Sequence, residues 1–139
     1  MADNAKTPRP VYRNIHVTDI VSYRLPPAGI VSILHRISGA VMFLLMPFII
    51  WMFDTSVTSE ISFGEFTSVF TGDFGWFAKL VALGLIWAYL VHFIAGVRHL
   101  IMDATHRVSK EQGHSTAVVT LALSSGLTVV LAAKLFGLF

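Results

Sequence analysis

The chain has 139 residues, of which 55% are apolar and only 13% charged, whereas about 25% of the residues of a typical soluble domain are charged. The mean hydropathy of +0.71 agrees, and lipid is the expected solvent for much of the surface. The net charge of +2 lies in basic segments beside apolar runs, which is typical of membrane orientation rather than nucleic-acid binding, and the absence of cysteine excludes disulfides, thiolate catalysis and cysteine-held iron-sulfur clusters.

The first predicted element is an N-terminal segment, residues 1–27, which is polar at its start and contains Pro8 and Pro10. These prolines favour an irregular or extended path over a helix. The segment has no apolar stretch of the kind found in a secretory signal peptide. We therefore expect a multi-pass protein of the bacterial inner membrane.

The first long apolar run predicts a transmembrane helix over residues 28–53. Two prolines precede it, which suits a helix start because the first turn needs no amide donor. Pro47 lies inside the run and predicts a kink. Residues 54–76 contain four acidic residues and no Lys or Arg, and we expect a periplasmic loop there with a short surface helix near residues 63–70.

Two further apolar runs predict transmembrane helices over residues 77–102 and 116–139, joined by a polar loop at residues 103–115. Basic residues gather in the N-terminal segment and in this loop, whereas the first loop is acidic. By the positive-inside rule, the N-terminus is cytoplasmic, the second loop is cytoplasmic and the C-terminus is periplasmic. The predicted fold is an all-α membrane protein with three transmembrane helices.

A first polar patch lies in the early part of the first span, where helical spacing groups Ser32 with His35 and Arg36. A hydroxyl, an imidazole and a guanidinium together suit a quinone carbonyl or the carboxylates of a cofactor, because arginine forms charge-assisted bonds to both kinds of oxygen. The alternative is an interfacial arginine that meets lipid phosphate, with Ser32 bonded to its own helix backbone.

A second patch surrounds His92, which lies inside the second span, where polar side chains are costly and commonly functional. Ala88, Ala95 and Gly96 lie on the same helical face, so a flat macrocycle or a neighbouring helix could approach the imidazole closely. His92 is thus a candidate iron ligand. The alternative is small-residue helix packing with a histidine bonded across the interface.

His99 follows His92 by seven residues, on roughly the same helical face and about 10 Å along the axis. Asp103 lies four residues further on, and for this pair we favour a solvated interfacial contact over a ligand role. The sequence contains no Walker loop, dinucleotide fingerprint or metalloprotease motif, and the third span offers little for a small transporter. The histidines in polar segments are interpreted as surface residues: His16, His106 and His114.

Two segments together carry a resemblance to a known family: Ser32-Ile33-Leu34-His35-Arg36-Ile37-Ser38-Gly39 and His92-x-x-x-Gly96-x-Arg98-His99-x-x-x-Asp103. In order and spacing they resemble the signatures of the cytochrome b membrane anchor of succinate dehydrogenase, which is respiratory complex II. The three-span layout and Arg9-Pro10-Val11 extend the resemblance over most of the chain. One departure is Tyr12-Arg13-Asn14, where many relatives have Ser-Pro-His.

The resemblance implies a haem b shared with a second small membrane anchor subunit. His92 corresponds to the axial iron ligand, and the opposite ligand is expected from that other subunit. His35 and Arg36 correspond to residues near the haem propionates. Arg98 and His99 are carried over as motif members in the same vicinity.

The resemblance also implies that Ser32 and Arg36 line a quinone site. The expected partners are a flavoprotein, an iron-sulfur subunit and the second anchor, with electrons passing from succinate to quinone in the tricarboxylic acid cycle and respiratory chain. Two alternatives remain open at this stage: the anchor of a quinol:fumarate reductase, and a structural anchor without haem.

Overall fold

The computed structural model describes residues 16–106 and 109–139 of the chain. Most of the predicted N-terminal segment, with the departure at Tyr12-Arg13-Asn14, lies outside the described residues. In its described part, residues 17–22 form a short helix where an irregular or extended path was expected. Within the described ranges the chain is helical and forms no strand. The helices, in chain order, are α1 (Val17–Ser22), α2 (Pro27–Leu44), α3 (Met46–Val57), α4 (Glu60–Thr71), α5 (Gly75–Thr105) and α6 (Lys110–Leu135).

Three of these helices, α2, α5 and α6, are long and apolar enough to cross a membrane. At 1.5 Å per residue, the 18 residues of α2 extend about 27 Å, close to the thickness of a bilayer's hydrocarbon core. The 31 residues of α5 and 26 residues of α6 exceed it. The predicted fold class, an all-α protein with three candidate membrane spans, is therefore confirmed.

The first apolar run differs from the single kinked helix expected over residues 28–53. It forms α2 and α3, separated only by Leu45, whose backbone lies at φ −90° and ψ 4°. Pro47 explains the break, because it has no amide hydrogen and its ring would clash with the carbonyl four residues before it, that of Phe43. The proline instead occupies the first turn of α3, where no donor is needed.

The acidic connection is more helical than its composition predicted. Helix α3 continues to Val57, and α4 then covers residues 60–71 rather than only the expected stretch near residues 63–70. A reciprocal cap begins α4: the Ser62 amide donates to Ser59 Oγ at 3.1 Å, and the Ser59 amide donates to Ser62 Oγ at 2.9 Å. These bonds satisfy amides that a helix start otherwise leaves without partners.

Helices α2, α5 and α6 pack against one another through small side chains. Val31, Ala95 and Ala117, one from each helix, are at most 1% exposed and form the buried cluster where the helices meet. Small residues allow the close backbone approach that drives helix association in lipid. Many large apolar side chains point outward from this bundle, as a lipid-facing surface requires, including Phe43, Leu44, Leu100, Val119 and Val129.

Candidate functional site

Helices α2 and α5 meet at a pair of stacked imidazoles. The rings of His35 and His92 lie 4.1 Å apart between centroids, with 10° between their planes. His92 Nδ1 is 2.9 Å from the backbone oxygen of His35. A carbonyl oxygen can only accept, so Nδ1 carries the hydrogen and, in the neutral ring, Nε2 keeps its lone pair. The contact thus selects the tautomer and orientation of His92.

Two small residues on α2, Ser38 and Gly39, also surround the His92 ring. Together with His35 they form the position of this ring, which is called the His92 seat. Ser38 is fully buried, and its hydroxyl donates to the same His35 oxygen at 3.0 Å. Gly39 leaves the space that the ring occupies, because a β-carbon at this position would lie 2.9 Å from His92 Cε1. Sequence reasoning included both residues in a motif but gave them no role. Their positions three and four residues after His35 could have placed them on its face.

Beside the stacked rings, an open cavity of about 560 Å³ lies between α2 and α5. Arg36 Nη2 donates to Ser32 Oγ at 3.2 Å. The ring of His99 meets that of His35 edge-on, at 5.3 Å between centroids. The structure therefore brings most of the predicted site residues to one place, and the cavity is lined by Ser32, His35, Arg36, Gly96, His99, Leu100 and Asp103.

The chemistry of this cavity favours oxygen-bearing ligands. Arg36 supplies a permanent positive charge, Ser32 a hydroxyl and His99 a ring nitrogen, against the single carboxylate of Asp103. Such donors suit carbonyl and carboxylate oxygens. Across residues 16–106 and 109–139, no group of three or more His, Asp or Glu side chains is arranged to hold a metal ion.

Arg98 lies apart from this cavity. Its Nε donates to Thr116 Oγ1 at 3.0 Å and its Nη2 donates to the Gly113 oxygen at 3.1 Å, and the side chain is only 7% exposed. Both acceptors belong to α6, so the predicted vicinity to haem propionates gains no support from these contacts. The helical spacing contained a signal for this: Arg98 follows His92 by six residues, which rotates it about 240° around α5.

Residues 7–131 match the family described as the succinate dehydrogenase/fumarate reductase transmembrane subunit. The chain belongs to this family. It is a multi-pass subunit of the bacterial inner membrane, of the cytochrome b type, that takes part in electron transport as a member of an oxidoreductase complex.

Members of the family with similar sequences carry more specific names. The chain is 33% identical over 130 residues to the succinate dehydrogenase cytochrome b556 subunit of Paracoccus denitrificans, which covers 94% of each chain. It is 36% identical over 114 residues to the b556 subunit of Coxiella burnetii, covering 82% of this chain and 89% of the relative. The b560 subunit of Reclinomonas americana is 26% identical over 110 residues, which are 78% of this chain and 76% of the relative.

The remaining histidines of this family member are peripheral, as expected from the sequence. His16, His106 and His114 are exposed. His106 follows the last residue of α5 in the left-handed conformation, at φ 51°. Their exposure leaves His35, His92 and His99 as the histidines gathered between helices, and His92 as the one whose ring nitrogen bonds a backbone oxygen.

Proposed function

We propose that this chain is the haem b-binding anchor subunit of a succinate:quinone oxidoreductase. Electrons from the oxidation of succinate to fumarate would pass through flavoprotein and iron-sulfur partner subunits to a quinone held against α2. The relatives' names as cytochrome b556 subunits support a haem. The single observation that carries the proposal is the oriented ring of His92, with Nδ1 bonded to the His35 carbonyl.

The seat of His92 fits an axial haem ligand. Metal-ligating histidines characteristically donate their second ring N–H to a carbonyl or carboxylate, which fixes the tautomer and raises the basicity of the ligating nitrogen. The His35 oxygen fills that role at 2.9 Å, and Nε2 is left as the ligand. Haem bound there would supply one-electron storage close to the quinone.

The opposite axial ligand is proposed to come from a second small membrane subunit. His35 lies flat against the His92 ring and so cannot face it across an iron atom. Helices α3 and α4 contain no histidine, and α6 contains only His114 near its start. These positions support a membrane-embedded partner as the source of the second histidine.

The cavity beside these rings is proposed to hold both the haem carboxylates and the quinone head. His35, Arg36 and His99 would offset the propionate charges, because Coulomb attraction is strong where water is scarce. Arg98 is left out, since its guanidinium is bonded to α6.

The Ser32–Arg36 pair is proposed to bind the quinone. Because Ser32 Oγ accepts from Arg36, its own hydrogen is free to donate to a quinone carbonyl. Arg36 would stabilise the negative charge that develops on the quinone oxygen as electrons arrive. Two electrons and two protons then give the quinol.

A quinol:fumarate reductase anchor is the second candidate, because the family description includes fumarate reductase. The same residues would serve the reverse reaction, with quinol giving up electrons. Quinol-driven fumarate reduction by the purified complex, at a rate well above its succinate–quinone rate, would favour this candidate over the first.

The haem proposal is tested by reduced-minus-oxidised absorption spectra of membranes that contain the whole complex. Wild type should give a low-spin haem b signal, and His92→Ala should lose or alter it. His114→Ala, at an exposed position, serves as the matched control and should leave the spectrum unchanged. An assembled wild-type complex without a haem signal, or an unaltered spectrum in His92→Ala, would leave the structural anchor without haem as the better description.

A further inference from the structure

Arg98 is a buried cation that the proposed haem and quinone chemistry does not use. It stands where two cavities adjoin. One, of about 350 Å³, lies where α2 begins and α5 approaches the start of α6, and it is lined by Arg98 together with Lys110 and His114. The other, of about 330 Å³, follows the groove between α5 and α6.

The first cavity is basic. Lys110 and His114 are exposed at its rim, and the acidic residues Asp103 and Glu111 do not line it. Arg98 bonds α6 through Nε and Nη2. Among the described residues Nη1 makes no hydrogen bond, and no buried side-chain nitrogen or oxygen there lacks a partner, which agrees with an Nη1 atom that is not fully enclosed. A guanidinium held in this way is pre-organised for a phosphate oxygen.

The second cavity is apolar at its outer wall. Val97, Ile101 and Val119 line it, and all three are exposed on the outer surface of the helix bundle. The groove therefore opens onto the apolar outer surface of the bundle, and Arg98 and Met102 line both cavities. A ligand that occupies both must present an anionic head beside an apolar chain.

We propose that this pair of cavities binds one anionic phospholipid. Its phosphate would lie between Arg98, Lys110 and His114, and one acyl chain would lie along the α5–α6 groove. Basic pockets between membrane helices are known to suit such headgroups. A free phosphate would leave the apolar groove unused. This site lies on the α6 side of α5, away from the cavity of Ser32 and Arg36, and does not depend on the proposed haem or quinone.

The test measures lipid retention by the detergent-purified complex in native mass spectrometry, with added phosphatidylglycerol or phosphatidylcholine. Wild type should bind phosphatidylglycerol more tightly. Lys110→Gln should weaken that binding about five-fold, the effect of one basic residue near an anionic headgroup. Lys134→Gln removes a charge from the last turn of the same helix and is the matched control, with unchanged binding expected.

A second variant tests the acyl-chain groove. Val97→Trp fills it from an exposed position and should reduce phosphatidylglycerol binding without any change in charge. Equal binding of the two lipids by wild type, or a Lys110→Gln titration that overlays the wild-type curve, would overturn the proposal. Displacement of phosphatidylglycerol by an equal concentration of inorganic phosphate would also overturn it, because it would indicate a simple phosphate site.

Discussion

At the scale of single residues, Ser32 offers a way to separate quinone reduction from haem binding. Its hydroxyl bonds Arg36, whereas the polar contacts of the His92 ring are with Ser38 and the backbone of His35. We expect Ser32→Ala to lower succinate–quinone reductase activity about ten-fold, the effect of one lost hydrogen bond of about 1.4 kcal/mol, with the haem spectrum intact. Ser125→Ala, exposed on α6, is the control; equal activity in the two variants would count against the quinone assignment.

Gly39 allows a sharper test of the His92 seat. A methyl group there would need space already held by His92 Cε1, 2.9 Å away. Gly39→Ala should displace the ring, shift the haem absorption or paramagnetic resonance spectrum, and cost about 1–3 kcal/mol of stability through overpacking. Gly84→Ala is matched, since nothing lies within 4 Å of its β-carbon. A Gly39→Ala complex with wild-type spectrum and melting temperature would refute this account of the seat.

Sequence alone could group residues that share one helix. Helical spacing predicted that Ser32 lies near Arg36 and that His99 lies on the same face of its helix as His92. In the structure, Ser32, Arg36 and His99 line one cavity. The sequence alone could not predict the stacking of His35 on His92, because that contact depends on how α2 is rotated toward α5. Whether His92, Ser32 and Arg36 perform their proposed roles stays a prediction.

At the scale of the helix, the break at Leu45 has a specific chemical origin. Pro47→Ala would restore an amide that can donate to the Phe43 carbonyl, so α2 and α3 should join into one helix. We expect amide hydrogen exchange at residues 45–49 to slow about five-fold, as one added hydrogen bond of about 1 kcal/mol would give. Pro27→Ala changes a helix start where no donor is needed, and its exchange should stay as in wild type. Identical exchange in both variants would mean that the proline does not cause the break.

The helical structure within residues 54–76 shows that amino-acid composition alone does not predict where a helix forms. Glycine, serine and threonine between residues 54 and 76 favoured a loop, yet Ser59 and Ser62 cap each other and begin α4. The usual signature of such a cap has Glu or Gln at the third helical position, so a serine pair gives a weaker sequence signal. The three long spans, by contrast, follow directly from apolar runs of sufficient length, which is why their fold class was predictable.

At the scale of the whole molecule, the described residues contain three long apolar helices, and an odd number of membrane crossings places the two chain ends on opposite sides. We expect the N-terminus in the cytoplasm and the C-terminus in the periplasm, because basic residues precede α2, and Arg107 and Lys110 lie at the connection from α5 to α6. Alkaline phosphatase fused after Phe139 should then be active, and green fluorescent protein fused there should be dark. The reverse pattern would invert the proposed orientation and move the quinone cavity to the opposite membrane face.

The bond from His92 to the backbone of residue 35 has a further consequence for genetics. Its acceptor is a main-chain oxygen, so exchanging the His35 side chain leaves the acceptor in place. A screen of side-chain replacements at that position would recover effects of ring stacking and charge, yet it would overlook the contact that holds the tautomer. At position 35 itself, only a replacement that moves the α2 backbone would remove that contact, so the proposed ligand is protected from most single-codon changes at this neighbour.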